Sequence, residues 1–253
     1  MKRFLVGVMV LGVLVAALTT LRRPTPSIVG LWEVGSPRAL TDELRFYYFH
    51  DGDKGLYRYG KVGYNNTASF DWHVSGDELT LTFRKTGVVV RTRFSVEERD
   101  GSRALVLLDD PRVGGRQRYV YRPAALELES GPLSLSQSEE APQGKLSGRM
   151  WYDGMKYATG GMGFRMYQLA EHSLPGGRML GWYHVGDFDD WSTETLDYRE
   201  LPAALELHFS LRDERSTTPI IVEQGRERRF LQMASDPRDF GARARFGDVG
   251  KAF

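Results

Sequence analysis

The chain has 253 residues, with 34 lysines and arginines against 33 aspartates and glutamates, and it contains no cysteine. The lack of cysteine excludes disulfide bonds, thiolate metal ligands and a cysteine nucleophile. Aromatic residues make up 12% of the chain and glycine occurs 28 times, a composition typical of β-strands joined by tight turns.

The N-terminal segment differs from the rest of the chain. Residues 4–21 contain no charged side chain, and their number is close to the ~20 residues that cross a bilayer as a helix. Two interpretations of residues 1–23 remain open, an uncleaved signal anchor and an export signal cleaved near Ala17. Lys2 and Arg3 precede the apolar segment, which favours export of the bulk of the chain. We therefore predict an envelope protein that is anchored in the inner membrane through residues 4–21 and faces the periplasm or the cell exterior, or is periplasmic if the leader is cleaved.

Beyond residue 23 the chain has 30 basic and 33 acidic side chains, a net charge of −3. A nucleic-acid-binding protein would carry a basic patch or stripe. Nucleic acid is therefore not an expected partner.

The chain contains an internal repeat. Residues 55–115 align without a gap on residues 181–241, a shift of 126 positions, with 17 identities in 61 pairs, whereas ordinary residue usage gives about 4. The shared residues include Gly60 and Gly186, and the Asp-Pro-Arg triplets that begin at Asp110 and Asp236. We therefore predict two modules, at residues 28–123 and 144–247, joined by a linker at residues 124–143 that carries Ser-Gly-Pro, Ser-Gln-Ser-Glu-Glu and Ala-Pro-Gln.

Alternating apolar and polar residues predict about eight short strands in the first module. Their predicted ranges are 30–34, 44–49, 56–62, 69–74, 79–83, 88–97, 104–108 and 118–121. The same pattern predicts about eight strands in the second module. Because Pro219 cannot donate a hydrogen bond, the strand that contains it is predicted to be an edge or bulged strand.

The first module resembles a short bacterial lipocalin-like domain. Gly30-Leu31-Trp32 stands where lipocalins carry Gly-x-Trp, and the segments at 70–79 and 119–122 follow the general layout of small lipocalin-like barrels. The second module has Gly148-Arg149-Met150-Trp151 instead, and a lipocalin Thr-Asp-Tyr element is absent. The resemblance implies an all-β fold, two tandem antiparallel barrel or sandwich modules after an N-terminal hydrophobic helix, with an interior that could hold one hydrophobic ligand.

Aromatic side chains are the candidate ligand-binding residues, because strands with aromatics on both faces can line a pocket as well as build the core or pack the modules together. The candidates are Trp32, Phe46, Tyr48, Tyr57, Trp72, Phe94, Trp182 and Tyr183. No catalytic or metal-binding residue and no cofactor is predicted. The five histidines lack metal-ligand spacing, and no nucleophile elbow or phosphate-binding loop is present.

Two polar motifs have a functional and a structural interpretation. The Asp-Pro-Arg triplets could grip an anion, but Asp followed by Pro is typical of a type I turn. The acidic segment Asp187-Phe188-Asp189-Asp190 could contribute to a Ca²⁺ site, but its spacing matches no known calcium loop. We expect turns and solvated loops in both cases.

Three functions remain open. The first is non-catalytic binding of a small apolar or amphipathic molecule, such as a lipid, in a lipocalin-like barrel. The second is a structural or protein-interaction scaffold whose barrels are filled by side chains. The third, an enzyme that works in a barrel cavity, is the least favoured, since no catalytic motif supports it.

Overall fold

The computed structural model describes residues 27–123, 146–157 and 160–252, and these residues form 16 antiparallel β-strands and no helix. The predicted all-β class is confirmed. The first eight strands are β1 (Gly30–Glu33), β2 (Glu43–His50), β3 (Lys54–Lys61), β4 (Tyr64–Ser75), β5 (Glu78–Phe83), β6 (Val89–Arg99), β7 (Ser102–Leu107) and β8 (Gln117–Arg122). The second eight are β9 (Arg149–Lys156), β10 (Met162–Leu174), β11 (Arg178–Gly186), β12 (Asp190–Leu201), β13 (Ala204–Phe209), β14 (Glu214–Gln224), β15 (Arg229–Asp236) and β16 (Ala242–Lys251).

Each set of eight strands closes into a ring. Within the first set every strand pairs with the next, and β1 also pairs with β8, where Trp32 lies opposite Tyr121. The second set closes in the same way through β9 and β16. We call these rings barrel one and barrel two. Closure removes the unpaired strand edges that an open sheet would expose.

The prediction that the strand containing Pro219 lies at an edge is wrong. β14 lies between β13 and β15 in the closed ring. Pro219 sits where β14 stops pairing with β13 and begins pairing with β15 at Ile220. At this changeover the missing proline N–H costs the ladder little, so the strand keeps its place inside the sheet.

Aromatic side chains fill the centre of barrel one. Tyr47, Tyr57 and Phe70 are at most 1% exposed, and the ring centroids of Tyr47 lie 4.6 Å from Tyr57 and 5.2 Å from Tyr119. The core of barrel two is filled by side chains in the same way, and Tyr167, Leu196 and Phe246 are among its fully buried residues. Contacts between rings at these distances stabilise the packing beyond the burial of area.

Two equivalent tryptophans are buried on the first strand of each barrel. Trp32 and Trp151 are both 0% exposed, and their indole N–H groups donate to the carbonyls of Ile28 at 2.6 Å and Leu146 at 3.2 Å. The guanidinium groups of Arg103 and Arg229, which are equivalent in the repeat, both lie 5.6 Å from these indole rings. Gly148-Arg149-Met150-Trp151 therefore provides in barrel two what Gly-x-Trp provides in barrel one.

The two barrels are joined edge to edge by β4 and β12. Residues 64–68 pair antiparallel with residues 190–194, and Asn66 lies opposite Ser192. These two residues are 126 positions apart and are thus equivalent in the repeat, so the junction has a two-fold pseudosymmetry centred on them. The same symmetry relates the hydrogen bond from Ser69 N to Asp189 O, 2.9 Å, to that from Thr195 N to Gly63 O, 2.9 Å. The modules are therefore two closed barrels within one continuous 16-stranded sheet.

A pair of equivalent glycines allows the hairpins at the junction to form. Gly60 and Gly186 have φ of 132° and 154°. A Cβ atom would lie 2.7 Å from Tyr64 O at the first position and 2.4 Å from Asp190 O at the second. Because no side chain fits there, both copies of the repeat have kept glycine.

No helix in the described part of the chain is long and apolar enough to cross a membrane. The predicted anchor or leader at residues 1–23 and the predicted linker at residues 124–143 lie outside the described residues. The membrane contact and the exported location stay predictions.

Candidate functional site between the barrels

The predicted aromatic residues divide between the two faces of the sheet. Trp32, Tyr57, Phe94 and Tyr183 are buried inside the barrels, at 0–5% exposure. Trp72 is half-buried near the C-terminal end of β4, and its indole N–H donates to Lys54 O at 2.9 Å. The outer-facing residues, all half-buried, are Phe46, Tyr48 and Trp182. The structure therefore does not bring these eight residues together into one site.

The Asp-Pro-Arg triplets form turns, and their aspartates are buried anchors. Asp110 is 2% exposed. Its carboxylate accepts hydrogen bonds from the hydroxyls of Tyr47 at 3.2 Å and Tyr119 at 2.5 Å, and from the backbone N–H groups of Arg112 and Val113. In barrel two, Asp236 accepts from the hydroxyl of Tyr167 at 2.7 Å. The aspartate of each triplet therefore anchors its turn to tyrosine side chains inside the barrel, and the turn covers one end of that barrel.

The arginine of each triplet folds across the same end of its barrel. The guanidinium of Arg112 lies 4.7 Å from the ring of Phe83, and that of Arg238 lies 3.5 Å from the ring of Phe209. Phe83 and Phe209 are equivalent in the repeat. Because β4 and β12 pair through their first residues, the ends covered by the arginines are the ends at which the barrels meet.

A cavity of about 160 Å³ lies at this meeting point, and we call it the inter-barrel pocket. Barrel one contributes Tyr64, and barrel two contributes the other lining residues. These are Tyr183, Val185, Ser192, Glu194, Arg212 and Arg238. Tyr64 lies opposite Glu194 across the β4–β12 pair, and the guanidinium of Arg212 is 5.4 Å from its ring. Neither barrel could form this pocket alone.

Three charged side chains meet in the pocket without satisfying one another. Glu194 is 4% exposed, with Oε2 3.1 Å from Arg238 Nε and Oε1 3.2 Å from Arg212 Nε. Neither contact has hydrogen-bonding geometry, and Glu194 Oε1, Arg238 Nε and Arg238 Nη2 are buried without a partner among the described residues. Burial raises the pKa of Glu194, although both arginines act in the opposite direction. A bound molecule with a donor and an acceptor would complete this set.

The pocket is also where the two copies of the repeat differ. Five of the seven lining residues have a different residue at the equivalent position, the pairs being Tyr64/Asp190, Val185/Tyr59, Ser192/Asn66, Glu194/Ala68 and Arg212/Thr86. The identities, in contrast, fall largely on the barrel cores, the hairpin glycines and the Asp-Pro-Arg turns. The shared residues therefore build the barrels, and the divergent ones build a site that occurs once.

Sequence reasoning missed Glu194 and Arg212 as site residues and expected only a turn from the triplet that contains Arg238, because the meeting of the three depends on how the barrels join. One signal was present in the alignment of the repeats. Glu194 stands at an inward-facing strand position where the other copy has Ala68, and a charged residue is rarely buried in such a position without a specific reason.

The acidic segment in the β11–β12 hairpin connects the barrels. Asp187 Oδ1 accepts hydrogen bonds from the backbone N–H groups of Asp189 and Asp190, each at 2.9 Å, and the carboxylate pairs with Lys85 of barrel one. Asp189 accepts from Ser69 Oγ at 2.8 Å. Within the described ranges, no cluster of three His, Asp or Glu side chains is arranged to hold a metal ion. These contacts support a structural role for the segment.

A separate polar network on barrel two surrounds Asp197, whose carboxylate pairs with Arg178 and accepts hydrogen bonds from His208 at 2.8 Å and Ser210 at 3.0 Å. Burial alone would raise the pKa of Asp197, but these hydrogen bonds hold it below its usual value of 3.8. Because the folded pKa is lower than the unfolded one, ionised Asp197 stabilises the fold above about pH 4, and this contribution is lost as the pH falls through the lowered pKa.

We therefore expect Asp197→Asn to lower the free energy of unfolding by about 1–3 kcal/mol at pH 7, and the difference from wild type to shrink below pH 4. Urea unfolding at pH 3, 5 and 7 measures this. Asp71→Asn is the matched control, since Asp71 is the repeat counterpart and forms only an exposed salt bridge with Lys54, worth under about 1 kcal/mol. A difference for Asp197→Asn that does not change with pH would contradict the role of the carboxylate charge.

No protein-family model matches the chain, and comparison with curated proteins and with solved structures returned no significant match.

Proposed function

We propose that the protein is a non-catalytic binding protein of the bacterial cell envelope, with two lipocalin-like barrels and a binding site for a small amphipathic molecule in the inter-barrel pocket. The closed rings of eight antiparallel strands and the buried tryptophan at the start of each ring support the lipocalin-like assignment. The observation that carries the binding function is the set of buried, unpartnered polar atoms on Glu194 and Arg238, which line a cavity.

The lining of the pocket defines the chemistry of its ligand. Tyr64, Tyr183 and Val185 offer apolar surface, while Glu194 Oε1 lacks a donor and Arg238 Nη2 lacks an acceptor. A hydroxyl or a primary amide supplies both a donor and an acceptor. Glu194 lies between two arginine side chains, and Arg238 Nη1 also donates to Glu214 Oε2 at 2.8 Å. Two carboxylates thus face two guanidinium groups, and a neutral ligand leaves these charges in balance.

The volume sets the size of the group that enters the pocket. A cavity of about 150 Å³ in a protein core accommodates benzene, and the inter-barrel pocket has about 160 Å³. Larger ligand sites have roughly 300 Å³ or more. The pocket is therefore suited to the polar end of an amphipathic molecule, or to a compact aromatic alcohol.

Benzyl alcohol is a suitable probe, because it combines a ring of this size with one hydroxyl group. We expect it to bind the full-length protein, as measured by isothermal titration calorimetry and saturation-transfer NMR. Val185→Tyr should weaken binding at least about tenfold, since filling the cavity removes the contacts and the buried hydrogen bonds. The variant installs the residue that barrel one carries as Tyr59, so the fold has a precedent for it.

Ile221→Tyr is the control. Ile221 is 61% exposed on β14, so this substitution should leave the binding of benzyl alcohol unchanged. If Val185→Tyr bound benzyl alcohol as tightly as wild type, the inter-barrel pocket would not be the site. Native mass spectrometry of protein purified gently from its own envelope then identifies the natural ligand, as mass that wild type retains and Val185→Tyr does not.

A scaffold function is the second candidate, and the packing of the barrel interiors favours it. Trp32, Tyr47, Phe49 and Tyr119 are 0% exposed at the centre of barrel one. If the natural protein carries no small molecule and does not bind benzyl alcohol, this second function replaces the first.

A further inference from the structure

The outer surface of the β4–β12 pair, opposite the inter-barrel pocket, has a second set of unusual residues. Residues opposite one another across β2, β3, β4 and β12 form a continuous row of Phe46, Arg58, Thr67 and Trp191. Successive side chains of a strand point to opposite faces, and the adjacent residues Tyr47, Tyr57 and Ala68 are buried in the core of barrel one. We call this row, with His184 and Thr193 beside it, the outer junction face.

Arg58 is the cation at the centre of this face. Its Nε donates to Thr67 Oγ1 at 2.8 Å, and its guanidinium lies 5.4 Å from the ring centroid of Phe46. These two contacts hold the guanidinium in place and leave its terminal amino groups without a protein partner among the described residues. Stacking on a ring and one hydrogen bond fix the fork of an arginine in a geometry that suits an oxyanion.

No described carboxylate forms a salt bridge with Arg58, although Arg58 is half-buried. The arginines of the described chain with the least exposed side chains in ion pairs each face an aspartate or glutamate, namely Arg45, Arg149, Arg165, Arg178, Arg229 and Arg238. Burial lowers the pKa of Arg58. A partly buried charge without a counter-charge loses part of its hydration, so the ordered, unpaired guanidinium of Arg58 points to an anion that is supplied from outside.

The neighbours of Arg58 do not neutralise it. His184 is 8% exposed and is held by Thr193 Oγ1 at 2.9 Å and Gln168 Oε1 at 3.2 Å. Burial, followed by the charge of Arg58, lowers the pKa of His184 to about 4, so the imidazole is neutral at pH 7. The carboxylate of Asp189, on the same side of β4, accepts a hydrogen bond from Ser69 Oγ and lies 3.6 Å from Arg84 Nε, so its contacts are with these two residues and not with Arg58.

We infer that the outer junction face is a second binding site, for an oxyanion attached to an apolar body. The terminal amino groups of Arg58 bind the carboxylate or phosphate oxygens, and the apolar body lies between the half-buried rings of Phe46 and Trp191. This site is on the opposite side of the sheet from the inter-barrel pocket, and it selects an anion rather than a neutral alcohol. It does not depend on the proposed function.

Titration of the full-length protein with benzoate and with phenyl phosphate tests the site and separates the two oxyanions, with tryptophan fluorescence as the readout because Trp191 lies in the row. We expect Arg58→Met to weaken the binding of the preferred anion by about 10- to 100-fold, which corresponds to the loss of a charge-assisted hydrogen bond. Arg58→Lys should keep part of the affinity. Arg91→Met, at an exposed arginine of β6, and Val185→Tyr, in the opposite pocket, should leave it unchanged.

Thermal unfolding separates a binding role from a structural one. If Arg58 serves a ligand, Arg58→Met should unfold at the same or a higher temperature, because an apolar side chain replaces an unpaired buried charge. A marked fall in the unfolding temperature would show that Arg58 supports the fold and would overturn the inference. Equal binding of benzyl alcohol and benzoate to Val185→Tyr, in which the inter-barrel pocket is filled, or unchanged anion affinity in Arg58→Met, would overturn it as well. Inorganic phosphate bound as tightly as phenyl phosphate would exclude the role of the two rings.

Discussion

Replacing Asp110 by alanine should lower the free energy of unfolding by about 3–5 kcal/mol, because the change leaves several buried donors without an acceptor. The hydroxyls of Tyr47 and Tyr119 and the N–H groups of Arg112 and Val113 all donate to this carboxylate. An alanine methyl group replaces none of these bonds. Urea unfolding at pH 7, followed by circular dichroism, measures the loss.

Two further variants make the result specific. Asp236→Ala should also destabilise the protein, but by less, since Asp236 accepts from one tyrosine hydroxyl and its Oδ2 has no hydrogen-bond partner among the described residues. Asp77→Ala, at an exposed aspartate 3.8 Å from Arg93, should change stability by under about 1 kcal/mol. A loss below about 1 kcal/mol for Asp110→Ala would mean that water satisfies these donors, contrary to their burial.

Replacing Asp248 by alanine should cost about 3 kcal/mol, because two arginines lose their shared partner. Asp248 is 7% exposed. Its carboxylate lies 2.7 Å from Arg149 Nη2 and 3.0 Å from Arg229 Nη2. These pairs join β16 to β9, where barrel two closes, and to β15. The expected result is a lower unfolding midpoint in urea.

The control for Asp248→Ala is Glu223→Ala. Glu223 forms an exposed pair with Arg245 at 3.8 Å, and such surface pairs contribute at most about 1 kcal/mol. Similar losses in the two variants would show that the closure of barrel two does not depend on the buried ion pair. Replacing Arg149 by methionine in the Asp248→Ala background should recover part of the loss, since it removes one of the uncompensated charges.

Much of the strand pattern could be predicted from the sequence, because one face of each strand is buried and the other is solvated. The prediction of a strand at 88–97 corresponds to β6 (Val89–Arg99), where Thr92 and Phe94 are buried and Arg91 and Arg93 are exposed. Period-two alternation specifies such a strand without knowledge of its partners.

The prediction was incomplete where both faces of a strand are buried. A strand was predicted at 69–74, whereas β4 begins at Tyr64. Residues 64–68 read Tyr-Asn-Asn-Thr-Ala, which shows no alternation, because one face lines the junction interior and the other lies under Arg58. In the structure β3 supplies the backbone partners on one side of this extension and β12 supplies them on the other.

The sequence by itself determined the repeat, most of the strands and the turns that both copies share, since these depend on local alternation and on glycine and Asp-Pro-Arg positions. The tertiary structure alone decided the rest. The register between β4 and β12 brings Tyr64 opposite Glu194, and it forms a pocket on one face of the sheet and the Arg58 row on the other. These sites join residues from two barrels, and no pattern within a single strand reports how two separate surfaces come together.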